Sequence, residues 1–464
     1  MKFISTRSPA CATASETVFK GLASDGGLYL PIIEDAFRIP CGADSLKEAS
    51  KYVLDVLFSD FPERVRIEAI DRLLSRFPAG DPIPLVKKGP FHFLELFHGK
   101  TGAFKDVALS MLPVFMRHAA DGRRVLVLTA TSGDTGSAAM QGFAGVEGTE
   151  IVVFYPATGT SRIQRLQMTT PSDRNVHAVG IKGNFDDAQG AVKRIFSDEA
   201  IAKEAKSKNV TLSSANSINT GRLVPQIAYY IYASSRLGRQ FDCVVPSGNF
   251  GNILAAYYAK RLGADIRKLV VASNVNDVLA RFVKTGVYDP GDKFTVTNSP
   301  SMDIRRSSNV ERLLWELNYD GDASFACAET AKLMRDLETS GRYELSDKAK
   351  ERLFAAFEGG VADIGETKAE MRRVYEESGY LVDPHTAVAS FVARKLGYPK
   401  DGAECVIAAT ATPYKFPETS FDAFGKDVLT TPPEAFRDLE NLPVAQKEIC
   451  EVSEMSDVTR RYFR

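Results

Sequence analysis

The feature that most constrains the fold is a repeated pattern of short apolar runs, each followed by a polar turn and then by a helical stretch. The runs are Val125–Leu128, Ile151–Phe154, Val176–Ile181, Cys243–Val245, Leu269–Val271 and Cys405–Ile407. Continuous β-branched runs that alternate with helices are typical of a parallel sheet covered by helices on both faces. The pattern therefore predicts an α/β protein built on parallel sheets.

The chain of 464 residues is long enough for more than one domain. Apolar residues at three-to-four spacing in 45–76 predict two helices that Pro62 separates. The turn-rich stretch Pro78–Pro84 marks a domain boundary. We predict an N-terminal, mostly helical domain at 1–85, a large α/β domain at 86–121 and 171–430, a small α/β lobe at 122–170 and a C-terminal tail at 431–464, which forms a helix or a docked strap.

The composition excludes several classes of protein. A net charge of −1 argues against a general nucleic-acid binder. No apolar stretch approaches the roughly 18 residues of a membrane span, and the N-terminus lacks the apolar core of a secretion signal. The six cysteines form no CxxC pair and the five histidines no metal-binding spacing. We therefore expect a cytoplasmic protein with reduced thiols, no membrane association and no metal site.

Three loops that follow strands are richer in glycine and in polar residues than packing requires. In the loop Pro246–Asn252 (PSGNFGN), glycines and the N-terminus of the next helix can cradle a phosphate, although an ordinary tight turn has the same composition. The loop Thr129–Gly136 (TATSGDTG) offers hydroxyls and backbone donors to a carboxylate, or simply caps a helix. Because ligands bind beyond the carboxyl ends of parallel strands, both loops are candidate binding elements.

The third loop, Phe97–Asp106, contains Lys105 beside Phe104 at the start of an apolar helical stretch. Burial and the positive end of the helix would lower the pKa of this amine and make it nucleophilic toward an aldehyde. A solvated surface lysine is the alternative. Together, a reactive lysine, a phosphate cradle and a carboxylate loop are the parts that pyridoxal 5'-phosphate (PLP) requires. Thr410, at the end of the strand Cys405–Ile407, could then bond the pyridine nitrogen, or be a plain strand-end residue.

Several motifs resemble the threonine synthase family of fold-type II PLP enzymes, over a span from about residue 4 to about residue 417. They are HGKTGAFKD, TATSGDTGSAA, PSGNFGN, ISTR…GLASDGGLYLP (4–31), SPSMDIRRSSNVERL (299–313), VDPHTAV (382–388) and TATPYKFP (410–417). The resemblance implies a fold-type II architecture of two parallel-sheet α/β lobes with an N-terminal helical domain. It also implies PLP as the cofactor.

The resemblance assigns a role to each matching residue. Lys105 would bind PLP covalently, Thr410 would face the pyridine nitrogen, and Asp134 would lie near the cofactor O3′. The expected phosphate-binding residues are Gly248, Asn249, Phe250, Gly251 and Asn252. Most fold-type II relatives have asparagine where this chain has Asp134, and close relatives tend to have histidine where it has Thr412.

The implied reaction converts O-phospho-L-homoserine and water to L-threonine and phosphate, the last step of threonine biosynthesis. This γ-elimination followed by β-addition of water makes the enzyme a carbon–oxygen lyase. The expected substrate-binding residues are Thr101, Ser132, Gly133, Thr135, Asn216 and Arg222. Arg222 is our candidate for the substrate phosphate, with Arg162 and Arg165 as rivals, and any of the three can instead be a surface or interdomain residue.

Two alternatives stay open at this level. Another fold-type II lyase, such as a threonine or serine dehydratase, would not need a second phosphate site. A non-catalytic relative would be expected to lack the lysine, which this chain retains at position 105. The oligomeric state, monomer or homodimer, is not readable from the sequence.

Overall fold

The computed structural model describes residues 1–34 and 37–463. Within these residues the strands form a six-stranded and a five-stranded sheet, together with a three-stranded and a two-stranded sheet. The strands are β1 Phe3–Ser5, β2 Cys11–Ala12, β3 Tyr29–Pro31, β4 Leu85–Lys88, β5 Phe91–Glu95, β6 Arg124–Ala130, β7 Thr149–Pro156, β8 Val176–Lys182, β9 Val210–Ser214, β10 Phe241–Pro246, β11 Ile266–Ser273, β12 Val287–Tyr288, β13 Tyr343–Glu344, β14 Phe357–Val361, β15 Glu404–Ala409 and β16 Ile449–Glu451.

Helices fill the intervals between these strands. The α-helices are α1 Ala14–Lys20, α2 Leu46–Leu57, α3 Glu63–Leu74, α4 Lys105–Ala119, α5 Asp134–Phe143, α6 Arg162–Thr169, α7 Phe185–Ser197, α8 Glu199–Ser207, α9 Thr220–Leu237, α10 Gly251–Arg261, α11 Val278–Thr285, α12 Val310–Asn318, α13 Ala323–Thr339, α14 Asp347–Ala356, α15 Ile364–Ser378, α16 Pro384–Lys395, α17 Pro417–Phe424, α18 Glu434–Arg437 and α19 Met455–Arg460. Short 3₁₀ helices cover Pro300–Met302, Pro413–Lys415, Leu439–Asn441 and Val452–Glu454.

The six-stranded sheet forms the centre of the larger lobe, with the strand order β14-β11-β10-β15-β5-β4. All neighbouring pairs are parallel except β4 and β5, which are antiparallel. Strands β10 and β15 are buried almost throughout, as expected for a sheet covered on both faces. The prediction of an α/β fold on parallel sheets is confirmed.

The five-stranded sheet forms the second lobe, with the parallel strand order β16-β8-β7-β6-β9. The small lobe was predicted at 122–170, but β8 and β9 lie beyond that range and belong to the same sheet. The predicted boundary at residue 170 is therefore too early. The physical reason is that α6 is a crossover between two parallel neighbours, β7 and β8, so the chain stays in one sheet after the turn that follows α6.

The N-terminal segment contains the two predicted helices, α2 and α3, with the break at Pro62. It also contains the antiparallel sheet β2-β1-β3, so it is less helical than predicted. The segment packs on the larger lobe through its aromatic residues. The ring of Phe58, the residue that follows α2, meets the ring of Phe115 edge-on with centroids 5.1 Å apart, which joins the end of α2 to the helix that begins at Lys105.

The C-terminal tail is a strap that docks on the smaller lobe. Its strand β16 pairs with β8, and Ala445 and Gln446 donate backbone hydrogen bonds to the carbonyl of Thr169. Phe436 packs against Gly102, in the loop that leads to Lys105. The tail thus contacts both lobes. In the part of the chain described here, no helix has the length and apolar character needed to cross a membrane.

Candidate active site

A large cleft lies where loops from both parallel sheets converge. The loops that follow β5, β6, β9, β10 and β15 all line it, as expected for ligand sites at the carboxyl ends of parallel strands. Its volume of about 2370 Å³ exceeds the roughly 300–1,000 Å³ of a typical small-molecule pocket. The lobes therefore leave room for more than one ligand.

Lys105 is the first residue of α4 and points into this cleft with its side chain only 12% exposed. Its Nζ lies 4.5 Å from the centre of the Phe104 ring and 3.1 Å from Oδ2 of Asp134. Burial lowers the pKa of this amine, and the positive charges of Lys415 and Arg222 lower it further, while Asp134 opposes them. The amine is thus more readily uncharged, and more nucleophilic, than a surface lysine.

Asp134 is the first residue of α5 and receives four donors. Lys415 Nζ and Gln164 Nε2 contact its Oδ1 at 2.7 and 2.9 Å, and Lys105 Nζ and Ser301 Oγ contact Oδ2 at 3.1 Å each. Burial alone would raise the pKa of this carboxyl, but the two ammonium groups outweigh burial and hold the pKa well below its usual range. Asp134 is therefore a carboxylate in this site.

A glycine makes this arrangement possible. A Cβ atom on Gly133 would lie 2.5 Å from Cδ of Gln164, closer than packed atoms can approach. With any other residue at position 133, the side chain of Gln164 could not lie where it reaches the carboxylate of Asp134. Gly133 itself does not line the cleft, whereas its neighbours Ser132 and Thr135 do.

The loop that follows β10 has the features expected of an anion cradle. Phe250 adopts a left-handed conformation (φ 60°) and leads directly into α10, whose N-terminus has no side-chain cap. The carbonyls of Gly248 and Asn249 accept hydrogen bonds from Ser307 and Asn309, which fixes the loop. The first amides of α10 remain available to a ligand.

The two glycines of this loop have different surroundings. A Cβ on Gly248 would lie 2.5 Å from the carbonyl oxygen of Ser301, so this position requires glycine for packing. A Cβ on Gly251 would meet only ordinary contacts, at 3.5 Å and beyond. Asn252 is nearly buried, and its Oδ1 accepts hydrogen bonds from Tyr229 and Tyr230, while its Nδ2 has no partner among the described residues. An unpaired buried donor beside the helix N-terminus suits an anion.

Thr410 and Thr412 follow β15 but face different surroundings. Thr410 lines the cleft, and its carbonyl accepts the backbone N–H of Phe104, which ties it to the loop of Lys105. Thr412 is buried against Gly102, and it does not line the cleft. Of the two residues, only Thr410 is placed to contact a ligand.

Arg222 is a buried guanidinium on α9 that lines the cleft. Its Nη1 donates to the carbonyl of Ala215 at 2.6 Å, its Nε has no partner, and no carboxylate within residues 1–34 and 37–463 pairs with it. Burial lowers its pKa to about 10, so it stays charged at neutral pH. By contrast, Arg162 and Arg165 are exposed, and Arg162 pairs with Glu440 at 3.1 Å.

Two of the predicted substrate residues have other partners in the structure. Thr101 is 1% exposed, its hydroxyl donates to Asp106 at 2.7 Å, and it does not line the cleft. Asn216 lines the cleft, but its amide donates to the carbonyl of Ala130 at 3.0 Å. The role of Thr101 as a direct substrate contact stays a prediction, and in this structure its hydroxyl instead closes the turn before α4.

Four residues of the site were not predicted from the sequence: Lys415, Gln164, Ser301 and His385. Three of these lie in motifs that carried the family resemblance, and Gln164 lies between the two rival arginines of α6. The backbone N–H of Ser301 donates to Nε2 of His385 at 3.1 Å, and His385 Nδ1 lies 2.7 Å from Asp383. His385 and Asp383 therefore hold the backbone of Ser301 in place, and the Ser301 hydroxyl reaches Asp134.

Comparison with known proteins shows which families and structures the chain is similar to. A family model described as pyridoxal-phosphate dependent enzyme matches residues 86–345, and one described as threonine synthase, C-terminal, matches residues 386–459. The chain is 36% identical to the threonine synthase of Saccharomyces cerevisiae, over 94% of this chain and 93% of the yeast protein. It is 38% identical to that of Pseudomonas aeruginosa, over 90% and 89% of the two chains. The crystal structure of PLP-bound threonine synthase from Brucella melitensis superposes with a TM-score of 0.90 at 36% identity and covers both chains completely.

Proposed function

The chain belongs to the threonine synthase family of PLP-dependent enzymes, and we propose that its substrate is O-phospho-L-homoserine, converted with water to L-threonine and phosphate. The observation that carries this choice of substrate is Arg222, a buried guanidinium without a carboxylate partner among the described residues, in the same cleft as Lys105. A buried unpaired charge is costly, so an anionic ligand is expected to neutralise it. An unphosphorylated amino acid offers no second anion.

The side chains of the cleft fit PLP. Lys105 supplies an amine with a lowered pKa, α10 supplies uncapped amides and the unpaired Nδ2 of Asn252, and Thr410 supplies a hydroxyl. We assign the phosphate of PLP to Gly248, Asn249, Phe250, Gly251 and Asn252. When bound, PLP supplies an electron sink that stabilises negative charge on the substrate carbon skeleton.

The protein's own groups then bind the substrate and move its protons. We assign the substrate carboxylate to Ser132 and Thr135, which line the cleft, and the substrate phosphate to Arg222. Gly133, whose N–H donates to the Thr131 hydroxyl, shapes the turn between them. The amine of Lys105, whose pKa burial lowers, is the general base for the α and β protons.

We further propose that the smaller lobe closes over the substrate. Ser132 and Thr135 belong to that lobe, whereas Lys105 and the PSGNFGN loop belong to the larger one. A substrate with an anion at each end would bridge the lobes, and closure would exclude bulk water while admitting the one molecule that adds at the β carbon.

The test is to measure both products. Purified protein loaded with PLP should release threonine and phosphate in equal amounts from O-phospho-L-homoserine. It should turn over L-serine and L-threonine far more slowly under the same conditions. Release of 2-oxobutyrate from threonine at a comparable or higher rate would favour the dehydratase alternative instead.

Replacing Thr410 with alanine is expected to leave PLP covalently bound but to slow turnover. The loss of one hydrogen bond of about 1 kcal/mol corresponds to about two- to tenfold in kcat. Thr410→Ser, which retains the hydroxyl, should restore most of the rate. Unchanged turnover in Thr410→Ala would remove this side chain from the mechanism.

A further inference from the structure

Lys415 is a fully buried lysine in the short 3₁₀ helix that follows β15. Its Nζ donates to the carbonyl of Thr101 at 2.9 Å and lies 2.7 Å from Oδ1 of Asp134. It does not line the cleft. Because an ammonium is rarely buried without a partner, these contacts account for its position but leave open what its charge does.

The two oxygens of Asp134 have different kinds of partner. Oδ1 is held by Lys415 and Gln164, which lie beneath the cleft surface. Oδ2 is held by Lys105, which faces the cleft, and by Ser301. Lys105 is also the group whose charge must change if it acts as a base. One oxygen of the carboxylate therefore contacts a lysine beneath the cleft, and the other contacts the lysine that would act as the base.

This difference matters when Lys105 is uncharged. Asp134 would then have lost one of its two ammonium partners while remaining buried. A buried carboxylate without a nearby cation takes up a proton, since desolvation disfavours its charged form. Lys415 is then the lysine that still contacts Asp134 among the described residues. The other titratable groups nearby have different partners: Arg222 bonds to the carbonyl of Ala215, and His385 contacts Ser301 and Asp383.

We propose that Lys415 is a positioning residue whose fixed ammonium keeps Asp134 ionised, with Oδ2 directed at Lys105, while Lys105 is uncharged. An ionised Oδ2 accepts a hydrogen bond from the neutral amine and so orients its lone pair toward the substrate. A protonated Asp134 would instead donate to that lone pair and block the base. This inference rests on the proposed role of Lys105 as the base.

The claim that Lys415 keeps Asp134 ionised can be tested without substrate or cofactor, in PLP-free full-length protein. Lys105→Met represents the state in which position 105 carries no charge, and Lys105→Met/Lys415→Met removes both cations. The quantity to compare is the difference in melting temperature between these two variants from about pH 4 to pH 7. Arg222 is present in both variants. Asp106 does not cancel in the difference, because the charge of Lys415 also lowers the pKa of that buried carboxyl, so its contribution has to be separated from that of Asp134.

The expected sign follows from linkage. If Lys415 alone keeps Asp134 ionised, the pKa of Asp134 in Lys105→Met stays below its unfolded value of about 3.9, so its stabilising contribution is present above that pH and is lost as the pH falls. Without both lysines, burial raises the folded pKa of Asp134, so stability is lost as the pH rises above about 3.9. The melting temperature of the double variant should therefore fall progressively below that of Lys105→Met between about pH 4 and pH 7.

A third variant keeps the test decisive. Adding Asp134→Asn to the double variant removes this carboxylate and should abolish the part of the pH dependence that comes from Asp134. If the triple variant retains the whole pH dependence, the effect belongs to Asp106 and the proposal is overturned. If the double variant is unfolded at pH 7 while the triple variant is folded, the proposal is supported. A difference that does not change with pH, or double and triple variants that are equally unfolded at every pH, would overturn it.

The catalytic consequence is measured in the PLP-loaded enzyme. Lys415→Met should lower kcat by about ten- to a hundredfold, the scale of an impaired general base, with little change in KM. The matched control is Lys100→Met, which removes an exposed lysine from the loop before α4 that does not line the cleft. If the wild-type enzyme makes no threonine, the proposed function fails, whereas the melting experiment still decides the role of Lys415. Unchanged kcat in Lys415→Met would contradict the positioning role.

Discussion

The Lys105→Ala protein is expected to lose essentially all threonine formation, by at least about 10³-fold in kcat. The change removes both proposed roles of Lys105, the covalent attachment of PLP and the general base, each of which would supply a large share of the rate. In the wild-type protein, borohydride should fix the cofactor onto the peptide that contains Lys105. The attachment site is read by mass spectrometry of the digested protein.

The matched control for this prediction is Lys100→Ala, five residues earlier in the same loop. Lys100 is exposed, whereas Lys105 is buried beside Asp134. The control should retain both activity and borohydride fixation at Lys105. If Lys105→Ala still fixes the cofactor at another lysine, the assignment is wrong.

The Arg222→Ala protein is expected to bind O-phospho-L-homoserine much more weakly. A hydrogen bond between charged groups is worth about 1.5–3 kcal/mol, which corresponds to about ten- to 150-fold in KM. Binding of L-serine, which lacks the phosphate, should be nearly unchanged. The comparison of KM for the phosphorylated substrate with the Kd for serine separates a ligand contact from a structural role.

Arg162→Ala serves as the control, because Arg162 is exposed and paired with Glu440 on the surface. It should leave both affinities unchanged. Equal losses for both ligands in Arg222→Ala would identify Arg222 as a structural residue that fixes the loop after β9 through the carbonyl of Ala215.

The charge of Asp134 illustrates what the sequence leaves open. A carboxylate beside the O3′ oxygen of PLP would be repelled unless a proton is shared, and the sequence does not indicate where that proton lies. In the structure, Lys105 and Lys415 flank the carboxylate and keep its pKa low. Lys415 is 281 residues from Asp134 in the chain, so no local pattern predicts their contact.

The residues of α6 show a second kind of limit. The segment contains Arg162 and Arg165, which the sequence suggested as anion ligands. In the helix, Gln164 and Gln167 are three residues apart and share the buried face, and both arginines face outward. The sequence predicts that this segment is a helix. It does not predict which face of the helix packs against the site, because that depends on where the fold places Asp134.

The elements that the sequence predicted well are those governed by local patterning. The apolar runs became the core strands β6, β7, β8, β10, β11 and β15, and Lys105 became the first residue of α4. The lobe boundary was misplaced because sheet membership depends on pairing between strands, such as β8 with β7 and β16 with β8. Non-local pairing is not encoded in the turn that separates the strands.

The most direct test of the proposed reaction is to follow the oxygen atom of water. In water labelled with ¹⁸O, elimination at the γ carbon breaks the carbon–oxygen bond, so the released phosphate keeps only the oxygens of the substrate. The water that adds at the β carbon supplies the threonine hydroxyl. We expect one ¹⁸O atom in each threonine and none in phosphate. Labelled phosphate with unlabelled homoserine would mean that water attacks phosphorus, and would contradict a lyase acting on O-phospho-L-homoserine.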